Sequence, residues 1–304
     1  MVDKLKKITL EGRMDEWGPF EKNEGKWLIF SIGNPQEGHS YALPRNIDDL
    51  FSQRLAHLIS CKTGSRYVAH IPWATDHDAN IAKDWAPKDI PLEELVERLI
   101  NFLKFHIKIY REQDLCANNV FIITGHGGNN SLADFTDQIR ETLDLRRLII
   151  STTNDIMEYA SEIMIRSRKL TNELSTMGCD TRKVAKMIGS IILSAGHAGH
   201  MEHSIAAALE VLDESKLKLM NKELENNFRG AIEKWPTLGG LSGFLTTGDR
   251  YTKILGTEKE DKHNLWKCFR ALRDLDHGKV KPIKELGEMI INAMVDYYSE
   301  LLLS

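Results

Sequence analysis

The feature that most constrains the fold of this chain is a recurring unit: a short apolar run, a glycine-bearing loop, then a stretch with helical apolar spacing. Residues 27–32 (WLIFSI) run into GNPQ, and from Asp48 onward Phe51, Leu55, Leu58 and Ile59 recur at i, i+4, i+7 and i+8, the spacing of one helix face. Residues 66–71 (RYVAHI) read as a second strand, followed by a loop from Pro72 to Pro91 and an amphipathic helix over roughly 92–112. NVFIIT at 119–124 runs directly into GHGGNN, after which Leu132, Phe135, Ile139 and Leu143 mark a helix face. RRLIIST (146–152) and GSIILSAG (189–196) supply two more strands, the second ending in glycine and histidine before the helical MEHSIAAALEVL. Alternating strands and helices predict an α/β fold with a mostly parallel sheet covered by helices. In such sheets, binding groups collect on loops beyond the carboxyl ends of the strands. All three glycine-bearing loops are expected at that edge.

The remaining stretches are less regular. Polar residues 213–235 lead into the glycine-rich WPTLGGLSGFLTTGD, and a final helix is expected from about Ile283 to Leu303. With 304 residues, 42% of them hydrophobic, the chain can bury a large core without disulfides. It reads as a single domain over 1–304 with a C-terminal helical segment at about 281–304. A net charge of −4 with no long basic block argues against nucleic acid as a partner. No stretch approaches the roughly 18–20 apolar residues of a membrane span. The opening MVDKLKKITLEGRMDEWG lacks the apolar core of a signal peptide, so a cytoplasmic location is expected. Cys61, Cys116, Cys179 and Cys268 show no paired spacing and read as reduced, mostly buried thiols.

Histidine is more informative. Four of the 11 histidines fall in GHGG and GHAGHMEH. In the first loop, Glu37, His39 and Asp48 are spaced E-x-H-x8-D, a mixed oxygen and nitrogen set that zinc, manganese or iron(II) accepts. Alone the spacing is weak, since Asp48 also fits as a cap of the helix that follows it. In the second loop His126 follows an apolar strand directly, and Gly125, Gly127 and Gly128 clear side chains from its surroundings. The alternative is a glycine turn whose histidine meets a local carbonyl. A P-loop is disfavoured because its lysine and serine or threonine are missing. In the third loop His197, His200, Glu202 and His203 crowd into seven residues, without the HExxH spacing of a metalloprotease helix. With Glu202 as a ligand, His197 is left as the general acid or base. His200 and His203 are then supporting or solvent-facing residues.

Three loops at one sheet edge, each with ligand-competent residues, carry more weight together than any one alone. The joint set implies one or two divalent ions, zinc first with manganese or iron as alternatives, held by Glu37, His39, Asp48, His126 and Glu202. Such ions activate a water and polarise a substrate carbonyl. His197 then protonates the leaving group. No GxSxG elbow competes for the nucleophile role.

At these residues the chain resembles the creatininase (creatinine amidohydrolase) family, which also includes archaeal formamidopyrimidine deformylases. The family's GxxEQHGPHLPxxTD is similar to GNPQEGHSYALPRNID, with Glu37, His39, Leu43, Pro44 and Asp48 in register. NGHGGN is similar to TGHGGN around His126, and HAGxxETS to HAGHMEHS, which gives His197 as the catalytic histidine and Glu202 as its nearby carboxylate. GFLTTGD at 243–249 looks like a weaker family element. The resemblance covers about residues 27–255. It implies a three-layer αβα fold, a one- or two-metal centre, hydrolysis of non-peptide amides or related bonds in small cyclic substrates, and a homo-oligomer, often a hexamer. Two departures limit the transfer. Gly128 stands where creatininase has a second carboxylate, so an altered second metal site is expected, and DHDANIAKDWAP replaces the family's FPGT segment in the loop expected to line the substrate pocket. Creatinine is therefore not the expected substrate. Trp73, Asp76, His77, Asp84 and Trp85 in the divergent loop, with Asn129, become substrate-side candidates.

The leading expectation is cleavage of a C–N bond in a cyclic amide or formamide. A second is ring-opening of a cyclic ketone such as an oxidised inositol, whose hydroxyls would suit Asp76, Asp78, Asn80 and Asp84. A third, a non-catalytic metal- or ligand-binding protein, requires a lost ligand or catalytic residue, and all of the core positions are present.

Overall fold

The computed structural model describes residues 26–76, 89–113, 115, 117–176, 197–227, 230, 231, 234, 235 and 279–304. In chain order these form β1 (Leu28–Ile32), α1 (Ile47–Thr63), β2 (Arg66–Ile71), α2 (Leu92–Glu112), β3 (Asn119–Thr124), a 3-10 stretch (Gly127–Phe135), α3 (Thr136–Thr142), β4 (Arg147–Ile150), α4 (Ile156–Thr176), α5 (His200–Ala208), α6 (Glu214–Asn226) and α7 (Lys284–Leu303). The four strands pair in the order β2-β1-β3-β4, all parallel. The expected strand at 189–196 and the GFLTTGD segment lie outside the described residues.

The two sheet faces feed separate cores because strand side chains alternate. Ile29, Phe121 and Ile123 pack with Leu55 and Ile59 of α1 and with Leu286, Ile290 and Tyr298 of α7. Leu28, Phe30, Ile32, Val120 and Ile122 pack with Leu95, Leu99 and Leu103 of α2 and Ile139 of α3. The result is three layers, helices on both faces of a parallel sheet, as the sequence pattern implied. The apolar face of α2 buries Leu92, Leu95, Val96, Leu99, Leu103 and Ile107, each worth roughly 1.5–3 kcal/mol when fully removed from water. Trp27 fastens the end of α7 by donating its indole N–H to the Leu302 carbonyl at 2.8 Å.

Three expectations change. The helix after GHGGNN comes in two parts, a 3-10 stretch and then α3, because Asn129 and Asn130 anchor the first turns to neighbouring loops. Residues 214–226 are helical rather than irregular: Asp213 caps α6 by accepting from the Lys216 N–H at 3.0 Å, and Leu217, Met220 and Leu224 form a narrow buried stripe. Among the cysteines, Cys61 is exposed rather than buried, since it lies on the solvent side of α1; the other three lie outside the described residues.

Candidate metal centre

Parallel pairing brings Ile32, Ile71 and Thr124 to the same edge of the sheet, so the loops that leave β1, β2 and β3 start side by side. Asp48 comes from the first turn of α1, whose N-cap is Asn46. Its carboxylate does not cap the helix; it turns inward. The close approach depends on Gly125, where a Cβ would overlap the Asp48 carbonyl. Helix N-termini favour negative charge, which suits a buried carboxylate there.

The five residues singled out as metal ligands meet. Asp48 Oδ1 lies 3.2 Å from His39 Nε2, and Oδ2 lies 3.1 Å from His126 Nδ1. Glu37 Oε2 is 2.9 Å from His126 Nδ1 and 3.8 Å from His39 Nε2. Glu202 Oε1 is 3.9 Å from His39 Nε2, although the two residues are 163 positions apart in sequence. Glu37, His39, Asp48 and His126 are each no more than 5% exposed. Ligand-competent atoms group as Glu37–Asp48–His126, His39–Asp48–Glu202 and Glu37–His39–His197. The first two groups share Asp48.

Each histidine has one nitrogen tied down and the other turned to the carboxylates. His39 Nδ1 donates to the Glu37 carbonyl at 3.3 Å, leaving Nε2 toward Asp48 and Glu202. His126 Nε2 donates to Asp76 Oδ1 at 2.8 Å, leaving Nδ1 toward Glu37 and Asp48. His197 Nε2 donates to the Gly38 carbonyl at 2.6 Å, and its Nδ1 faces Glu37 Oε1 at 3.4 Å. The His39 and His197 rings lie 4.3 Å apart at 40°. Glu37 Oε2, His39 Nε2 and Asp48 Oδ2 are buried yet make no hydrogen bond among the described residues: they approach one another at ion-pair distance without hydrogen-bond alignment. Convergent, misaligned donor atoms fit a cation between them, and the donor set is one that zinc, manganese and iron(II) accept.

Charge follows from this packing. Burial would push His39 down, but Asp48, Glu202 and Glu37 outweigh it and raise it to about 10. His126 is likewise raised against burial, by the nearby Glu37 and Asp48 carboxylates and by its hydrogen bond to Asp76. Burial raises Glu202 to about 7 against the pull of His39. Burial also lowers His197 to about 4, with Glu37 opposing and His39 adding to the drop. Without a cation, protons on His39 and His126 balance the carboxylates. Backbone strain sits beside the same imidazoles: Ser40 and Ala198, the residues after His39 and His197, have φ of 75° and 57°, conformations that non-glycine residues adopt at a cost.

The substrate-side candidates are placed differently from one another. Asp76 is fully buried behind His126. Asn129 uses its amide on backbone, accepting from the Thr75 N–H and donating to the Gly33 carbonyl, both at 3.0 Å. Trp73 packs edge-on against Phe102 with Arg98 over its ring. His77, Asp84 and Trp85 lie outside the described residues. His200 and His203 are buried rather than solvent-facing: His200 Nδ1 accepts from the Lys281 N–H, and His203 Nδ1 donates to the Gly199 carbonyl. Sequence reasoning passed over Asn34, whose amide donates to Asp76 Oδ2 at 3.4 Å; its only signal was its place in GNPQ at the end of β1.

Comparison with solved structures gives a creatininase variant complexed with creatine, TM-score 0.50 at 10% identity over 90% of both chains. A second creatininase variant matches with TM-score 0.50 at 9% identity, again over 90% of both. The chain has the creatininase fold. No family model matches it. Its sequence is similar to three archaeal proteins, each named 2-amino-5-formylamino-6-ribosylaminopyrimidin-4(3H)-one 5'-monophosphate deformylase. The protein of Methanococcus voltae is 25% identical over 275 residues, 90% of each chain. The match to that of Methanosphaera stadtmanae is 28% identical over 135 residues and spans about half of that relative, 51%. The match to that of Methanobrevibacter ruminantium is 25% identical over 202 residues, 64% of each. The creatininase fold therefore accompanies sequence likeness to proteins named for removing a formyl group.

Proposed function

We propose that the chain is a metal-dependent hydrolase of the creatininase superfamily that cleaves the C–N bond of a formamide on a small polar substrate, not creatinine. The observation that carries this reading is the pair of carboxylate and histidine groups sharing Asp48, with His197 against one of them. In this reading Glu37, Asp48 and His126 hold one divalent ion and His39, Asp48 and Glu202 a second, zinc in preference to manganese or iron. When bound, such ions polarise a carbonyl and acidify a water.

The chain's own residues supply the rest. His197, with Nε2 donating to Gly38, has Nδ1 as the nitrogen that exchanges a proton. It takes one proton from the attacking water and delivers it to the departing nitrogen. The water oxygen bonds to the formyl carbon, the C–N bond breaks, and an amine and formic acid leave, the acid giving its remaining proton to solvent to become formate. Glu37 beside Nδ1 stabilises the imidazolium between these transfers. The buried walls of the cluster keep bulk water from screening these charges.

The deformylase assignment draws on the three named relatives. Within the same reading the protein is a cytoplasmic homo-oligomer with no nucleic-acid or membrane partner, and a hexamer is the assembly to test. Among the described residues no helix is long and apolar enough to cross a membrane. Light scattering after gel filtration tests the hexamer. A panel of formamidopyrimidine nucleotides, lactams and keto-inositols tests the reaction: formate from the first supports it, and turnover of keto-inositols alone contradicts it.

A further inference from the structure

The pairing of His126 with Asp76 is unlike the pairing of the other two imidazoles. His39 and His197 give their outer N–H groups to the neutral backbone carbonyls of Glu37 and Gly38. His126 gives its own to a carboxylate that is fully buried. A buried carboxylate is costly unless it is hydrogen-bonded, and this one is held from several sides. Asn34 donates to its other oxygen at 3.4 Å, and the Asp76 N–H is fixed by Asp89 Oδ1 at 3.0 Å. The preceding residue is tied to Asn129 through the Thr75 N–H. Gly128 makes the room: a Cβ there would come within 2.6 Å of Asp76 Oδ1.

We propose that Asp76 is a positioning residue for the metal centre, fixing His126 with its proton on Nε2 so that Nδ1 is presented to a cation beside Glu37 and Asp48. The role rests on the metal-centre reading and extends it to a residue outside the ligand set. Two features belong together: a carboxylate at position 76 and the absence of a side chain at 128. A hydrogen-bonded carboxylate also increases the donor strength of the imidazole it holds.

The test titrates zinc ions into metal-free wild-type, Asp76→Ala and Asp76→Asn proteins. It also records the nitrogen-15 spectrum of His126 in the zinc-loaded state. The expected result is that Asp76→Ala weakens the zinc ion held through His126 by about 10- to 100-fold. Asp76→Asn, which keeps an acceptor but no charge, weakens it by about tenfold, the low end of that range. In wild-type protein His126 binds through Nδ1 and shows a protected Nε2–H resonance, which is lost in Asp76→Ala. If Asp76→Ala does not fold, the Asp76→Asn titration and the wild-type spectrum decide. Wild-type binding with no weakening in the folded variants, or coordination through Nε2, overturns the role of Asp76 alone. Wild-type protein that takes up no zinc overturns the metal-centre reading and this inference with it.

Discussion

Asp48 reaches His126 with one carboxylate oxygen, at 3.1 Å from Nδ1, while its other oxygen stands 3.2 Å from His39 Nε2. One side chain thus belongs to both candidate cation positions. Asp48→Ala is expected to empty both, so metal measured by elemental analysis falls toward zero and turnover falls at least about 100-fold. Retention of one full equivalent would show that the two positions do not share Asp48.

His197 is expected to carry protons without being needed for metal retention. His197→Ala should keep the metal content of the wild type and lose about 10²- to 10⁴-fold in kcat, the usual range for a general acid–base group. Steady-state kinetics on protein of matched metal content checks this. Loss of metal in the variant would instead assign His197 to the third ligand-competent group, with Glu37 and His39.

Metal uptake should release protons. Without a cation, His39 holds its proton up to about pH 10 and His126 is also raised, so at pH 7 to 8 a cation must displace these protons to bind. Apparent affinity therefore rises with pH below about 10 and falls as the solution is acidified. For the metal-free fold the sign is the reverse: the His39 contribution to stability is complete below its unfolded value near 6.5 and is lost as pH climbs toward about 10. Calorimetric titrations in buffers of different ionisation enthalpy count the released protons; a count of zero contradicts the geometry.

The approach of α1 to the loop after β3 gives a structural prediction. Gly125→Ala places a methyl group against the Asp48 carbonyl and is expected to destabilise the fold by about 1–3 kcal/mol, as overpacking does, with weaker metal binding because Asp48 is displaced. Leu99→Ala, in the core between α2 and the sheet, should cost about 2–5 kcal/mol and leave metal affinity unchanged. Urea unfolding and zinc titration on the same samples separate the two.

Much of the frame was legible in the sequence because buried strands are written as unbroken apolar runs. NVFIIT became β3 at Asn119–Thr124, and the helix expected over 92–112 is α2 at Leu92–Glu112. α4 was not read at all: among its described side chains, Ile163 and Leu170 are buried seven residues apart, and no glycine or proline punctuates its start. α6 was hidden by its charge, since a stripe of only Leu217, Met220 and Leu224 is buried. At the site, histidines and carboxylates on glycine-bearing loops signal metal competence by residue type alone. The place of Asp76 behind His126 carries no such signal. It depends on Asn129 joining Thr75 to Gly33, a long-range arrangement that only folding brings about.

The central claim is that this cluster hydrolyses a formamide through bound metal. The most direct measurement is formate release from a formamidopyrimidine nucleotide by zinc-, manganese- and iron-loaded protein, before and after chelation. The account predicts one formate per deformylated product, abolished by chelation and restored by adding metal back. Formate release that survives complete removal of metal, or no release with any of the three ions, would contradict it.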